Sequence, residues 1–223
     1  MSTIALRRLR PDDSIDELTA MLRRAFARLG ASGMNCTCVE QTPDVTRQRI
    51  GQGDCVVALA GPRIVGTVTL QTADPQAEIA WYRHPSVASL HQLAVEPVHQ
   101  GTGVGKALLH AAEDWAFKQR CVALALDTPE PALHLHAYYA RQGFSRQSTV
   151  QIAGRTYRSA VFSKPVRLAP RAVWHDVWPP RRPGETALLA RQQNRSHGHE
   201  AAALQGRSDA LASTALGARS WPR

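Results

Sequence analysis

Apolar residues recur along this chain in two rhythms, and each rhythm predicts a different kind of element. Leu18, Met21, Leu22, Ala25 and Phe26 return every three or four positions, which predicts an amphipathic helix over 15–29. The preceding Pro11-Asp12-Asp13-Ser14 reads as a turn and helix cap. Val104, Leu108, Ala111, Ala112 and Trp115 repeat the helical spacing and predict a second amphipathic helix over 104–120. Apolar runs bounded by turn residues predict strands at 4–9, 55–60, 63–71, 88–95 and 121–126. The pair 55–60 and 63–71 reads as a hairpin around Gly61-Pro62, and 147–152 with 155–163 as another around Ala153-Gly154. A short helix is expected over 44–51, a loop over 30–43 and a polar excursion over 72–87. A further helix follows the 121–126 strand and ends in Tyr138-Tyr139-Ala140-Arg141-Gln142-Gly143-Phe144, with Gly143 as its C-cap.

The run at 90–105, LHQLAVEPVHQGTGVG, carries the most chemistry. An apolar strand, Leu93-Ala94-Val95, stops at Pro97, and a glycine-rich turn, Gln100-Gly101-Thr102-Gly103-Val104-Gly105, leads into the 104–120 helix. Glycines allow close backbone approach and positive φ. The first helical turn offers unpaired N–H groups at the positive end of the dipole. Together they form an anion site, most naturally for a pyrophosphate. The P-loop pattern fails, because Gly105-Lys106 is followed by Ala107 and Gln100 stands where its first glycine belongs. The dinucleotide fingerprint fails as well, because Lys106 occupies the place of its third glycine.

The pattern that fits is Q-x-x-G-x-G between strand and helix, which resembles the acyl-CoA pyrophosphate loop of the GNAT superfamily of N-acetyltransferases. Tyr139 through Phe144 resembles the same family's Y-x-x-x-G-F signature, in the expected order and spacing. The match is close over 90–144 and looser over 3–168. The resemblance implies an α+β fold, with a mixed, mostly antiparallel sheet flanked by helices, in an N-acetyltransferase domain spanning 1–168. It implies acetyl transfer from acetyl-CoA, as co-substrate, to an amine by direct attack in a ternary complex.

Backbone N–H groups of Gln100, Gly101, Thr102, Gly103, Val104, Gly105 and Lys106 would then hold the pyrophosphate. Leu93, Ala94 and Val95, on a strand that splays from its neighbour in the family, would receive the pantetheine arm and thioester. Tyr139 becomes the general acid for the departing thiolate, since a phenol is protonated at neutral pH. Tyr138 reads as its packing partner. Glu78 and His91 are the candidate general bases, while Glu96, beside the phosphate loop, reads as a solvated residue. The family often carries Asn seven positions before the tyrosine, where this chain has Ala132. His134 or His136 is a candidate to compensate.

The remaining composition narrows the setting. The chain has 223 residues, 43% of them hydrophobic, and no run near the ~18 apolar residues of a membrane span. The first eight residues lack a signal-peptide apolar region, so a cytoplasmic location is the expectation. Four cysteines, Cys36, Cys38, Cys55 and Cys121, do not suggest a disulfide framework. The i, i+2 pairs His134/His136, His197/His199 and Cys36/Cys38 do not lie together on a helix, and no metal is expected.

The net charge of +9 favours capture of a polyanion such as CoA. The absence of a basic stripe interleaved with aromatics argues against nucleic acid as a partner. Residues 169–223 read as a low-complexity, disordered tail rich in Arg, Ala and Pro, with a short helix near 200–204.

The acceptor, a small-molecule amine or a protein amine, is expected against the 33–43 loop, with Trp81, Tyr82 and Arg83 as a further wall. Glu40 and Glu78 point by charge toward a cationic polyamine-like or aminoglycoside-like amine. Homodimers are frequent in the family, and no interface is legible here. The competing reading is a non-catalytic acyl-CoA-binding or regulatory module, supported by Ala132 and opposed by Tyr139.

Overall fold

The computed structural model describes residues 4–166. The chain runs β1 (Ile4–Arg8), α1 (Ile15–Ala31), α2 (Thr37–Glu40), α3 (Pro43–Gly51), β2 (Asp54–Ala60), β3 (Arg63–Gln71) and β4 (Val87–Val95). It continues through α4 (Val104–Lys118), β5 (Ala123–Pro129), α5 (Leu133–Arg141), β6 (Ser145–Gln151) and β7 (Arg158–Pro165). The strands form one mixed sheet in the order β1-β2-β3-β4-β5-β7-β6. Neighbours are antiparallel except β4 and β5, which run parallel. This is the expected α+β, mostly antiparallel architecture. The expected tail over 169–223, its helix near 200–204 and the His197/His199 pair lie outside the described residues.

Local chemistry starts the helices where the pattern placed them. The Ser14 hydroxyl accepts the Glu17 N–H at 3.1 Å and caps α1. Thr42 caps α3 in the same way, with Pro43 at the first helical position. Helix α4 differs: its cap residue is Gly103 at φ 94°, with no side-chain cap, so its first N–H groups are left open.

The sheet buries both faces, which strand alternation makes possible. Val56 and Ala58 face the cluster built around Val104, Leu108, Leu109, Ala112 and Trp115 of α4. Cys55 and Val57 face Leu18, Met21 and Leu22 of α1. A Cβ on Gly66 would stand 3.1 Å from Leu108 Cδ1, Val104 Cγ1 and the Ala94 carbonyl, so this glycine lets α4 sit close on β3. Leu108 is fully buried in that contact. Leu108→Ala is expected to cost about 2–5 kcal/mol of unfolding free energy, read from denaturant midpoints.

Three expectations change. The 30–43 loop contains the one-turn helix α2, and the 72–87 excursion contains a 3₁₀ turn at Ala80–Arg83. The strand expected at 121–126 is displaced to Ala123–Pro129. Arg120, at φ 60°, turns the chain out of α4, and the Cys121 N–H still bonds back to the Ala116 carbonyl at 2.9 Å. At the other end, pairing of Asp127, Thr128 and Pro129 with Val161, Ala160 and Ser159 of β7 extends the strand beyond its apolar run.

Candidate active site

The feature that positions the site is a break in the sheet. Thr69 pairs with His91 and Thr67 with Ala94, so Gln92 and Leu93 together face Val68 as a bulge in β4. Gln92 takes φ 52°, a left-handed conformation costly for a side chain of this kind. A buried polar network holds it there. Gln92 Nε2 donates to Thr69 Oγ1 at 3.3 Å, and Gln92 Oε1 accepts from Gln41 Nε2 at 3.2 Å. Gln41 Nε2 also reaches Thr46 Oγ1 at 2.8 Å, and the hydroxyls of Thr46 and Thr19 meet at 2.7 Å. The parallel ladder of β4 with β5 ends at Ser89–Ala125, ahead of the bulge, and from there to its end β4 is unpaired on that side. A cleft of about 660 Å³ opens there, with residues 90–95 along one wall and residues 127–129 along the other.

At one end of the cleft lie Gln100, Gly101, Gly103, Gly105 and Lys106. Gly101 and Gly103 have φ of 76° and 94°, and a Cβ on either would meet nothing within 4 Å. Both glycines immediately precede the uncapped first turn of α4. Gln100 Nε2 reaches the Val95 carbonyl at 3.1 Å and ties the turn to the strand end. Thr102 and Val104 do not line the cleft. The Thr102 hydroxyl braces the turn through the His99 carbonyl, and Val104 is buried in the core, so any contact from these two is through the main chain. Gly105 makes room for Tyr138: a Cβ there would stand 2.7 Å from the Tyr138 hydroxyl, which is buried without a hydrogen-bond partner among the described residues.

Tyr139 also lines the cleft. Its ring packs edge-on against Tyr138 at 5.3 Å and Phe144 at 5.8 Å, and it lies 6.2 Å from Phe162. Burial first, then the neighbouring Tyr138 and Asp127, hold its phenol above the usual tyrosine range. It therefore stays protonated and able to donate.

The two expected bases separate. Glu78 does not line the cleft; its carboxylate accepts the Ala153 N–H at 3.0 Å and braces the β6–β7 turn. This corrects the expectation that Glu78 reaches the reacting atoms. Glu96 is taken by a two-pronged ion pair with Arg24, which holds its carboxyl below the usual range. His91 does line the cleft, with Nε2 2.9 Å from Ser89 Oγ and its ring edge-on to Tyr82. Burial lowers its pKa to about 4, so it is neutral at pH 7 and weakly basic.

That shift predicts a pH dependence of stability. The folded pKa lies below the ordinary value of 6.5, so the unfolded chain binds the proton first as pH falls. Stability is full above pH 6.5 and declines through about pH 4, by an amount on the order of 3 kcal/mol. The melting temperature of His91→Gln is expected to fall less over that window than that of the unaltered chain.

Asp127 is the site residue that sequence reasoning missed. It ends the apolar run of β5, lines the cleft, and accepts the Tyr82 hydroxyl at 2.9 Å. Its charge acts on both Tyr139 and His91. Two opposed facts about the acceptor side also emerge. Cys36, Thr37 and Cys38 of the expected loop do line the cleft, but Glu40 and Glu78 do not, which removes the basis for a cationic polyamine or aminoglycoside. Of the expected Trp81-Tyr82-Arg83 wall, Tyr82 alone engages the site, through Asp127. Ala132 is buried among Leu29, Met34 and Cys36, so apolar packing stands where the family often has Asn. His134 lines the cleft, whereas His136 is turned to the Pro129 carbonyl and Phe162.

The sequence model of the acetyltransferase (GNAT) family matches residues 18–144. No curated protein matches the chain significantly. Among solved structures the chain is similar to PH1933 from Pyrococcus horikoshii OT3, with a TM-score of 0.59 at 19% identity, over 74% of this chain and 100% of that one. It is similar to the ribosomal-protein-S18-alanine N-acetyltransferase from Escherichia coli, with a TM-score of 0.56 at 16% identity, over 77% and 99%. A third is the IAA acetyltransferase from Bacillus cereus ATCC 14579, with a TM-score of 0.53 at 16% identity, over 73% and 99%. At these identities the structures speak for the fold alone. The family match covers more than half of the chain and includes both the split strand and the glycine turn, and the chain belongs to the GNAT acetyltransferase family.

Proposed function

We propose that this chain is an acetyl-CoA-dependent N-acetyltransferase that acts by direct attack of an amine on the thioester. The observation that carries this reading is the continuity of one cleft, from the uncapped α4 turn, along the free edge of β4, to the Tyr139 ring. An open turn of N–H groups suits a pyrophosphate. Unpaired strand backbone suits the amides of a pantetheine arm and the thioester oxygen, whose developing charge needs fixed donors.

In the reaction the acceptor nitrogen bonds to the thioester carbon as the C–S bond breaks. The nitrogen gives up one proton and the sulfur gains one. Tyr139 supplies the proton to the sulfur. Asp127, directly or through water, takes the proton from the amine, and neutral His91 is the weaker alternative. Exchange with solvent restores both groups. All four cysteines are free, and no helix among the described residues is long and apolar enough to cross a membrane.

The test is calorimetric titration of acetyl-CoA into the full chain, followed by release of free CoA thiol in the presence of an amine panel. Saturable binding with amine-dependent release is expected. Binding without release under any amine would favour the non-catalytic acyl-CoA-binding reading. No binding would overturn both.

A further inference from the structure

We infer that the acceptor is a small amine carrying its own carboxylate, an amino-acid-type molecule, and that Arg49 and Arg155 select for that acid group. The inference rests on the N-acetyltransferase reading above and goes on to name its substrate class.

The end of the cleft beyond Tyr139 carries an unusual balance of charge. Asp127 is the one carboxylate among the cleft-lining residues described, whereas Arg49 and Arg155 both line this end. Neither guanidinium is in an ion pair among the described residues. Both are nonetheless held in place, and by neutral groups. Arg155 donates through Nη1 to the Asn35 carbonyl at 3.0 Å and through Nη2 to Thr37 Oγ1 at 3.1 Å, with its plane near the Tyr157 ring. Arg49 donates through Nη1 to Gln41 Oε1 at 2.8 Å and to Cys38 Sγ at 3.1 Å. Gln41 is the same residue that fixes the β4 bulge, so Arg49 is positioned by the network that opens the site.

A guanidinium has five N–H donors in a rigid fork that matches a carboxylate. Here each fork is oriented by hydrogen bonds, half-buried and in no ion pair among the described residues. Withdrawing such a cation from water is costly unless an anion joins it. An acceptor with a carboxylate toward the arginines and an amine toward Asp127 satisfies all three charges at once.

The wall around this end favours a small molecule over a polypeptide. The loop after α1 is strapped to the β6–β7 turn. Asn35 Nδ2 donates to the Gly154 carbonyl at 2.7 Å, the Thr156 N–H donates to Asn35 Oδ1 at 2.8 Å, and the Thr156 hydroxyl reaches the Gly33 carbonyl at 3.0 Å. Cys36, Arg155 and Tyr157, which line the cleft, sit on the two strapped segments. A threaded peptide would have to open that strap.

The experiment compares matched pairs on the full chain with acetyl-CoA: alanine with ethylamine, leucine with 3-methylbutylamine, phenylalanine with phenethylamine, and lysine with 1,5-diaminopentane. Spermidine and a short peptide with a free N-terminus complete the panel. At least one acid member is expected to exceed its plain amine, spermidine and the peptide by about tenfold or more in kcat/KM. Arg155→Gln and Arg49→Gln are each expected to raise KM for that acid member about tenfold more than KM for its plain amine. Arg155→Lys and Arg49→Lys restore part of the preference, and a general loss of fold would move both members together.

Equal or better turnover of plain amines, spermidine or the peptide overturns the inference. So does failure to turn over any acid member by protein that binds acetyl-CoA. Absence of acetyl-CoA binding is a different result, which overturns the N-acetyltransferase reading and this inference with it.

Discussion

Tyr139→Phe is expected to lower kcat by about 10²–10⁴-fold, the range removed with a general acid, while acetyl-CoA affinity stays within about twofold. The substitution isolates the hydroxyl. The ring contacts to Tyr138, Phe144 and Phe162 are apolar and a phenylalanine ring keeps them, so the core around α5 retains its packing. Burial holds the phenol protonated well above neutral pH, so the lost function is donation and no charge changes. Single-turnover measurement of CoA thiol release, beside a titration of acetyl-CoA, separates chemistry from binding. If both stay at the level of the unaltered chain, Tyr139 is not the acid. Tyr138, whose hydroxyl lies beside Gly105 with no hydrogen-bond partner among the described residues, would be examined in its place.

Gly103→Glu is expected to weaken acetyl-CoA binding by at least 100-fold, equivalent to about 2.7 kcal/mol. Gly103 caps α4 at φ 94°, and the space beyond its Cα is open. A glutamate there sets its own carboxylate at the positive end of the helix and fills the volume a pyrophosphate would enter. The left-handed backbone costs a side chain about 1–2 kcal/mol, which is a stability effect and must be separated from binding. Gly103→Ala carries that strain without the charge or the bulk. Calorimetric titration of both variants is expected to show near-native affinity for Ala and loss for Glu. Equal loss in the two would mean that backbone strain, and not occupation of an anion site, controls the turn.

Much of this architecture is legible locally. Ser14 and Thr42 announce their helices through caps that need only neighbouring N–H groups. The glycine turn is legible because positive φ and helix N-termini are properties of a few consecutive residues. Tyr139 is legible through its spacing to Gly143 and Phe144. Asp127 escaped because the apolar run ends at Leu126, and the strand continues only where β7 pairs with it. Glu78 misled for the converse reason: a carboxylate near the central strands in sequence turns to the β6–β7 turn in space.

The sequence by itself determined most of the elements, their order, the glycine turn before α4 and the place of Tyr139 near the end of α5, because periodicity, capping and glycine conformation act over a handful of neighbouring residues. Only the tertiary structure decided where the β4–β5 ladder ends, that Asp127 lines the same cleft as Tyr139, and that Arg49 and Arg155 line it without an ion pair among the described residues. Those outcomes depend on a bulge held by Gln41 together with residues from α1, α3, β3 and β4, and on contacts such as Asn35 with Thr156, whose partners lie far apart along the chain. Side-chain type does not encode which distant partner a residue will meet.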